Sequence, residues 1–154
     1  PEWRDFPAIW EKAAVKEGET IDDYPFWLLT ARSMQYAWGS NLAMPFIHEL
    51  GGNVGGHRGL VINPVTAEKL GIADGDLIEI TSSLRSARGR AEIRQGIRPD
   101  TLLAIGQFGH WATPIAKEVE IPSLNSLTPI SIDLTDANGS SSDVVRVSLK
   151  RISS

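Results

Sequence analysis

Cysteine is absent from the 154 residues, which excludes disulfide staples, thiolate metal sites and cysteine nucleophiles. Long apolar runs are absent too. A stretch such as Pro25-Phe26-Trp27-Leu28-Leu29 falls far short of the roughly 20 residues that span a bilayer, so direct membrane insertion is not expected. No basic segment leading into an apolar stretch opens the chain, so no export signal is visible. His48, His57 and His110 are scattered. None has a second His or a carboxylate at the spacing of a motif such as H-E-x-x-H, and no metal site is assigned. The G-x-S-x-G elbow of serine hydrolases and the G-x-G-x-x-G turn of a Rossmann dinucleotide site are both missing. No residue is therefore assigned a catalytic role.

What is present is ordinary in amount. An apolar fraction of 42% and a charged fraction of 22% match a soluble globular domain with one core. The net charge of −4 disfavours a general nucleic-acid binder. Acids crowd the first 23 residues, while Arg85, Arg88, Arg90, Arg94 and Arg98 crowd the middle. Such a basic strip can meet an anionic ligand or form a solvated face paired with neighbouring acids, and both readings stay open. Pro1 opens the chain and Met34 and Met44 are its only methionines, so the chain reads as an excised or processed piece.

Residues 1–23 read as a lead-in arm. Trp3, Phe6, Ile9 and Trp10 recur at helical spacing, but Pro7 interrupts them. Phe26 to Ala31 reads as a buried strand, and Arg32 to Asn41 as a loop. Ala43 to Leu50 is expected as a short helix with Phe46, Ile47 and Leu50 on one side and Gly51 as its C′ residue. Gly51 to Gly56 carries four glycines in six residues, the mark of a mobile loop or of positive φ. It lacks the Lys-Ser/Thr that completes a phosphate loop.

The following block has the clearest local logic. Leu60 to Ile62 is a short strand, Asn63 is a good N-cap, Pro64 suits the first helical position, and Gly71 closes the helix. Asp74-Gly75 is a tight turn. Leu77 to Thr81 alternates as a strand with Ile78 and Ile80 on one face. Ala87 to Gln95 alternates Ala, Gly, Ala and Ile against Arg, Arg, Glu and Arg, a half-buried strand. Thr101 to Ile105 is a buried strand after the Ile97-Arg98-Pro99-Asp100 turn. Gly106 to Thr128 is long for a connection, and long loops in small domains tend to carry function. Ser131 to Leu134 is expected as a brief strand, and Asp143 to Ile152 as the last. Many short strands with two or three short helices predict a β-rich barrel.

Three strand-end loops gather hydrogen-bonding and aromatic groups: Thr30 to Asn41, Gly106 to Trp111, and Ser123 to Ser126. Together they offer a guanidinium, amides, hydroxyls, an imidazole and rings, which suits a large, planar, polar ligand held by loops on a rigid barrel. The plainer reading of Tyr36, Trp38, Phe108 and Trp111 is that they are core or interface aromatics.

Leu60-Val61-Ile62-Asn63-Pro64 through Ala67, with Leu70-Gly71-Ile72-Ala73-Asp74-Gly75-Asp76-Leu77-Ile78-Glu79-Ile80, resembles the signature of the molybdopterin-dinucleotide-binding domain. That domain belongs to oxidoreductases related to dimethyl sulfoxide reductase, formate dehydrogenase and nitrate reductase. The resemblance continues through Ala91 to Arg94, Ile97 to Asp100 and Gly106 to Gly109. It also takes in Tyr24 to Arg32 upstream, and Asn125, Leu127 and the last strand downstream. It covers about Tyr24 to Arg151.

It implies a six-stranded double-psi β-barrel over residues 24–154, similar to aspartate decarboxylase. The implied cofactor is bis-molybdopterin guanine dinucleotide carrying molybdenum or tungsten. The domain would cover that cofactor as the C-terminal part of a larger oxidoreductase. The metal's ligand and the iron–sulfur cysteines would lie in the remaining domains, so this chain alone would not be catalytic. An iron–sulfur electron-transfer subunit is an implied partner, and a prokaryotic cytoplasm or periplasm the implied compartment.

Carried over by position, Thr30, Arg32, Tyr36, Trp38 and Ser40 match the first loop, Gln107, His110 and Trp111 the second, and Asn125 an amide near the pterin. Arg32 is the best phosphate partner by its planar fork. Many relatives have a His near Tyr36 or Trp38, where this chain departs. Asn63, Pro64, Gly71 and Asp74-Gly75-Asp76 read as structural. The Asn125 to Pro129 stretch looks closest to members acting on sulfur compounds or phenylacetyl-coenzyme A. One alternative is a stand-alone double-psi barrel serving as an adaptor, as in some AAA ATPases. Another is a self-processing decarboxylase, for which neither Gly39-Ser40 nor Gly139-Ser140 sits between strands as the chemistry requires.

Overall fold

Alternation of side chains is what builds this molecule. In the computed structural model, every second residue of each long strand points into a common core. The structure describes residues 8, 15–36, 41, 44–105, 124–135, 138, 139 and 145–152. Within them run β1 (Phe26–Ala31), α1 (Pro45–Gly52), β2 (Leu60–Ile62), α2 (Pro64–Leu70), β3 (Leu77–Thr81), β4 (Ser86–Ile93), β5 (Thr101–Ile105) and β6 (Val145–Arg151). Short 3-10 turns occupy Ile21–Asp23, Leu124–Ser126 and Ile132–Leu134.

The six strands close into a barrel in the order β1-β5-β2-β4-β3-β6. β1 runs parallel to β5, and β2 parallel to β4, while the remaining neighbours are antiparallel. Exchanging β1, β5 and β6 with β4, β2 and β3 reproduces the same ring of pairings. With every strand paired on both sides, the closed barrel leaves no strand edge exposed.

The core is aliphatic. Leu28, Leu60, Ile62, Ile78, Ile80, Leu102, Val145 and Val147 are all wholly buried, and each such side chain contributes about 1.5–3 kcal/mol by leaving water. Ile21 packs on the outside of this core, so the end of the expected arm is docked. There Asp23 accepts from the Thr20 N–H (2.8 Å). The arm's Trp3, Phe6, Ile9 and Trp10 lie outside the described residues.

α2 behaves as its residues dictate. Asn63 Oδ1 accepts from Val65 N–H (2.9 Å), and its Nδ2 donates to the Ile97 carbonyl (2.6 Å). Gly71 ends the helix at φ 63°, and Ile72 N–H returns to the Ala67 carbonyl (2.9 Å).

Three local expectations are corrected. Gly51 is not a C′ residue, because α1 continues through Gly52 and the cap is Asn53 in a right-handed conformation. The glycine is needed for space, since a Cβ there would strike the Tyr36 ring. Phe46 and Leu50 of α1, expected on a packed side, are exposed, and Ile47 alone of the three packs inward. Ser131 to Leu134 is a 3-10 turn rather than a strand, because the Ser131 side chain accepts from Asp133 N–H (3.2 Å). Such a local bond competes with sheet pairing.

Candidate functional site

The parallel pairing of β1 and β5 decides where a site can be. Thr30 stands opposite Ala104 and Ala31 opposite Ile105, so the loop beginning at Arg32 leaves the barrel beside the end of β5. Thr30 shares the inward parity of buried Leu28 and sits half-buried at the barrel mouth. Arg32 follows it, exposed. Among the described residues Arg32 has no ion-pair partner.

Ala31 and Ile105, on the opposite parity, face a second small core outside the barrel. Tyr36, only 1% exposed, fills it with Ile47 of α1. The turn that delivers Tyr36 is tied by Ser33 Oγ, which accepts from Tyr36 N–H (3.1 Å). Burial pushes the Tyr36 phenol up from its ordinary pKa, so the ring is neutral through the physiological range. His57 lies beneath, its ring centroid 5.7 Å from that of Tyr36. Its Nδ1 meets the Val54 carbonyl at 3.1 Å. Its buried Nε2 has no partner among the described residues. His57 was not singled out from the sequence for binding, because an isolated His carries no spacing signal.

Asn125 is exposed on its 3-10 turn, anchored by wholly buried Leu127 two residues later. Trp38, Ser40, Gln107, His110 and Trp111 lie outside the described residues. Of the expected site residues, the structure thus brings Thr30, Arg32 and Tyr36 to one barrel end, with Tyr36 serving as buried support for the loop. Among the described residues no three His, Asp or Glu side chains gather to hold a metal.

The arginine-rich middle divides. Arg88 pairs with Glu79 (3.3 Å) and Arg98 with Asp100 (2.8 Å), both arginines exposed on the surface. Arg90 and Arg94, joined by Arg58, line a pocket on the flank of β4. Asp74-Gly75-Asp76 is structural, as expected. Asp74 Oδ1 accepts from Ile93 N–H (2.7 Å), and Gly75 N–H donates to the Ala91 carbonyl (2.8 Å).

An exposed guanidinium with no ion-pair partner among the described residues, beside a half-buried hydroxyl and on a loop pinned by a buried ring, fits an anionic, polar ligand. The barrel itself places the chain among the double-psi β-barrels. Residues 26–144 match the family described as Molydopterin dinucleotide binding domain, and the chain belongs to that family. Over 96 residues it is 30% identical to the arsenate respiratory reductase molybdopterin-containing subunit of Chrysiogenes arsenatis, a match covering 60% of this chain and 11% of that protein. The corresponding subunit of Shewanella sp. (strain ANA-3) is also 30% identical, over 58% of this chain and 11% of its own length. The chain thus spans about a tenth of the length of these curated relatives. Among solved structures, acetylene hydratase from Pelobacter acetylenicus superposes with a TM-score of 0.63 at 13% identity. That match covers 85% of this chain and 19% of the hydratase, a likeness of fold.

Proposed function

We propose that residues 24–154 bind and cover a bis-molybdopterin guanine dinucleotide as the C-terminal domain of a larger oxidoreductase subunit, with residues 1–23 as its lead-in. The observation that carries this reading is the parallel β1–β5 pairing, which sets the Arg32 loop beside the end of β5 at one barrel end. In this role Arg32 binds an anionic oxygen of the cofactor, Thr30 offers a hydroxyl at the mouth, and Asn125 offers an amide. Tyr36 and His57 hold the loop from below and keep water out of its base. Bound there, the cofactor supplies a molybdenum or tungsten centre for redox chemistry. Its remaining ligands, any iron–sulfur partner and the catalytic groups belong to domains beyond this barrel. The Asn125 to Pro129 resemblance favours a sulfur compound or phenylacetyl-coenzyme A as substrate, while the arsenate reductase relatives favour an arsenic oxyanion.

The test is Arg32→Ala in the whole polypeptide. Pterin released and oxidised to its fluorescent form, together with elemental analysis for molybdenum and tungsten, should fall several-fold per protein. Unchanged cofactor content would remove Arg32 from the site.

A further inference from the structure

A cavity lies on the outer flank of the barrel. The Gly52 to Arg58 segment faces the Asp74-Gly75 turn and the outer side of β4 across about 830 Å3. That volume falls within the roughly 300–1,000 Å3 of small-molecule sites. None of Thr30, Arg32, Tyr36 or Asn125 lines it, and the reading below does not depend on the strand-end site.

Its walls are arranged for an anion. Gly89 and Ala91 point into the barrel, so Arg90, Glu92 and Arg94 share the outer face, and Arg58 enters from the opposite wall. Arg58 Nε donates to the Gly52 carbonyl (2.8 Å) and Arg94 Nη1 to Glu92 Oε1 (3.1 Å). A guanidinium has five N–H donors, so one such bond fixes its place and leaves a fork for a ligand.

The carboxylates are turned toward the backbone. Glu92 Oε1 accepts from Gly56 N–H (2.6 Å), its Oε2 from Arg58 N–H (3.1 Å), and Asp74 Oδ1 from Ile93 N–H (2.7 Å). Three guanidiniums against two carboxylates leave one positive charge in excess. Gly55 leaves room for the Arg94 guanidinium, which would have to move aside for a Cβ there.

We propose that this pocket binds a diphosphate group. Arg90 and Arg94 lie four residues apart on extended chain, about 13 Å. The long side chains of Arg58, Arg90 and Arg94 all line the same cavity, and three guanidinium forks find more acceptor oxygens on a diphosphate than on a single phosphate. Glu92 is a positioning residue that pins the glycine-rich segment over the pocket through its two backbone bonds. The diphosphate can come from a free nucleoside diphosphate or from the pterin dinucleotide, and the experiment separates them.

Titration calorimetry of the full chain at low salt, with inorganic pyrophosphate and guanosine diphosphate, should give saturable binding at least tenfold tighter than inorganic phosphate. Arg58→Gln and Arg94→Gln should each weaken it about tenfold. Arg98→Gln, on an exposed pair outside the pocket, should leave it unchanged. Gly55→Ala keeps every charge yet displaces the Arg94 guanidinium, so it should also weaken binding and serves if an arginine variant fails to fold. Equal affinity for phosphate and pyrophosphate, or full affinity in the folded Gly55→Ala and arginine variants, overturns the proposal. In the whole polypeptide, lowered pterin content in the Arg58→Gln/Arg94→Gln variant assigns the diphosphate to the cofactor. Normal pterin content with lost nucleotide binding assigns it to a free nucleotide.

Discussion

Gly51 lies against Tyr36 so closely that a Cβ at position 51 would meet the phenol hydroxyl and the ring edge. This contact joins α1 to the turn after β1, and with Ile105 it seals the outer side of the β1–β5 end. The loop that carries Arg32 therefore rests on a helix contributed by the next stretch of chain.

Alanine in place of a helical glycine ordinarily gains up to about 1 kcal/mol. Here Gly51→Ala should instead destabilise, because overpacking a filled site costs about 1–3 kcal/mol. Urea unfolding checks the sign. In a Tyr36→Leu background the same substitution should become neutral or stabilising. Equal losses in both backgrounds would show that the ring is not the obstacle.

Asn63→Ala should cost about 1–2 kcal/mol. The side chain caps α2 through Val65 N–H and also holds the Ile97 carbonyl, so the substitution removes a cap and strands an acceptor. Asn63→Asp keeps the cap and loses the second bond, and should recover part of the difference in midpoint denaturant concentration.

Alkaline pH should weaken the fold through Tyr24. Burial first, then the hydrogen bond and charge of Glu19 and the charge of Asp23, push its phenol up to about 12. The folded state then holds a proton that the unfolded chain releases near pH 10. This contribution is fully present below pH 10 and is lost as pH rises toward 12. Tyr24→Phe should flatten that limb of the stability profile, leaving the smaller slope due to Tyr36, which burial also raises. A profile identical to that of the parent chain would rule Tyr24 out as the cause.

Acid acts through Glu79. Lys150 at 2.7 Å, then Arg88 at 3.3 Å, hold its carboxyl below the usual carboxylate range against the opposing effect of burial. Its contribution is present above the unfolded value near 4.5 and is lost as pH falls through the folded one. Glu79→Gln should lower stability at neutral pH and reduce the acid slope. Asp100, lowered by Arg98, should supply the slope that remains. An unchanged acid limb in equilibrium unfolding would discount the Lys150–Glu79–Arg88 cluster.

Local grammar was legible where neighbouring residues decide the outcome. Asn63-Pro64 and Gly71 bracket α2 as expected, and alternation placed Ile78, Ile80, Val145, Val147 and Leu149 inward. The site was legible only as separate loops. Arg32 and Ile105 stand far apart in the chain, and nothing local says that their strands run parallel and adjacent. The arginines show the same limit. Arg88 on β4 and Arg94 just past its end share one parity, yet Arg88 pairs with Glu79 of β3 while Arg94 pairs with Glu92 and lines a pocket walled by the Gly52 to Arg58 segment.

The amino-acid order on its own determined the strand faces, the caps of α2, and the absence of thiol chemistry. These follow from side-chain shape and from hydrogen bonds spanning a few residues. Only the closed barrel decided that Phe26 lies beside Val147 and Leu60 beside Ala91. It also decided that Gly51 makes room for a ring and that Arg58, Arg90 and Arg94 share one cavity. Ring closure is a property of all six strands together, since each register is set by the pairing of its neighbours and the last pair must fit what the others leave.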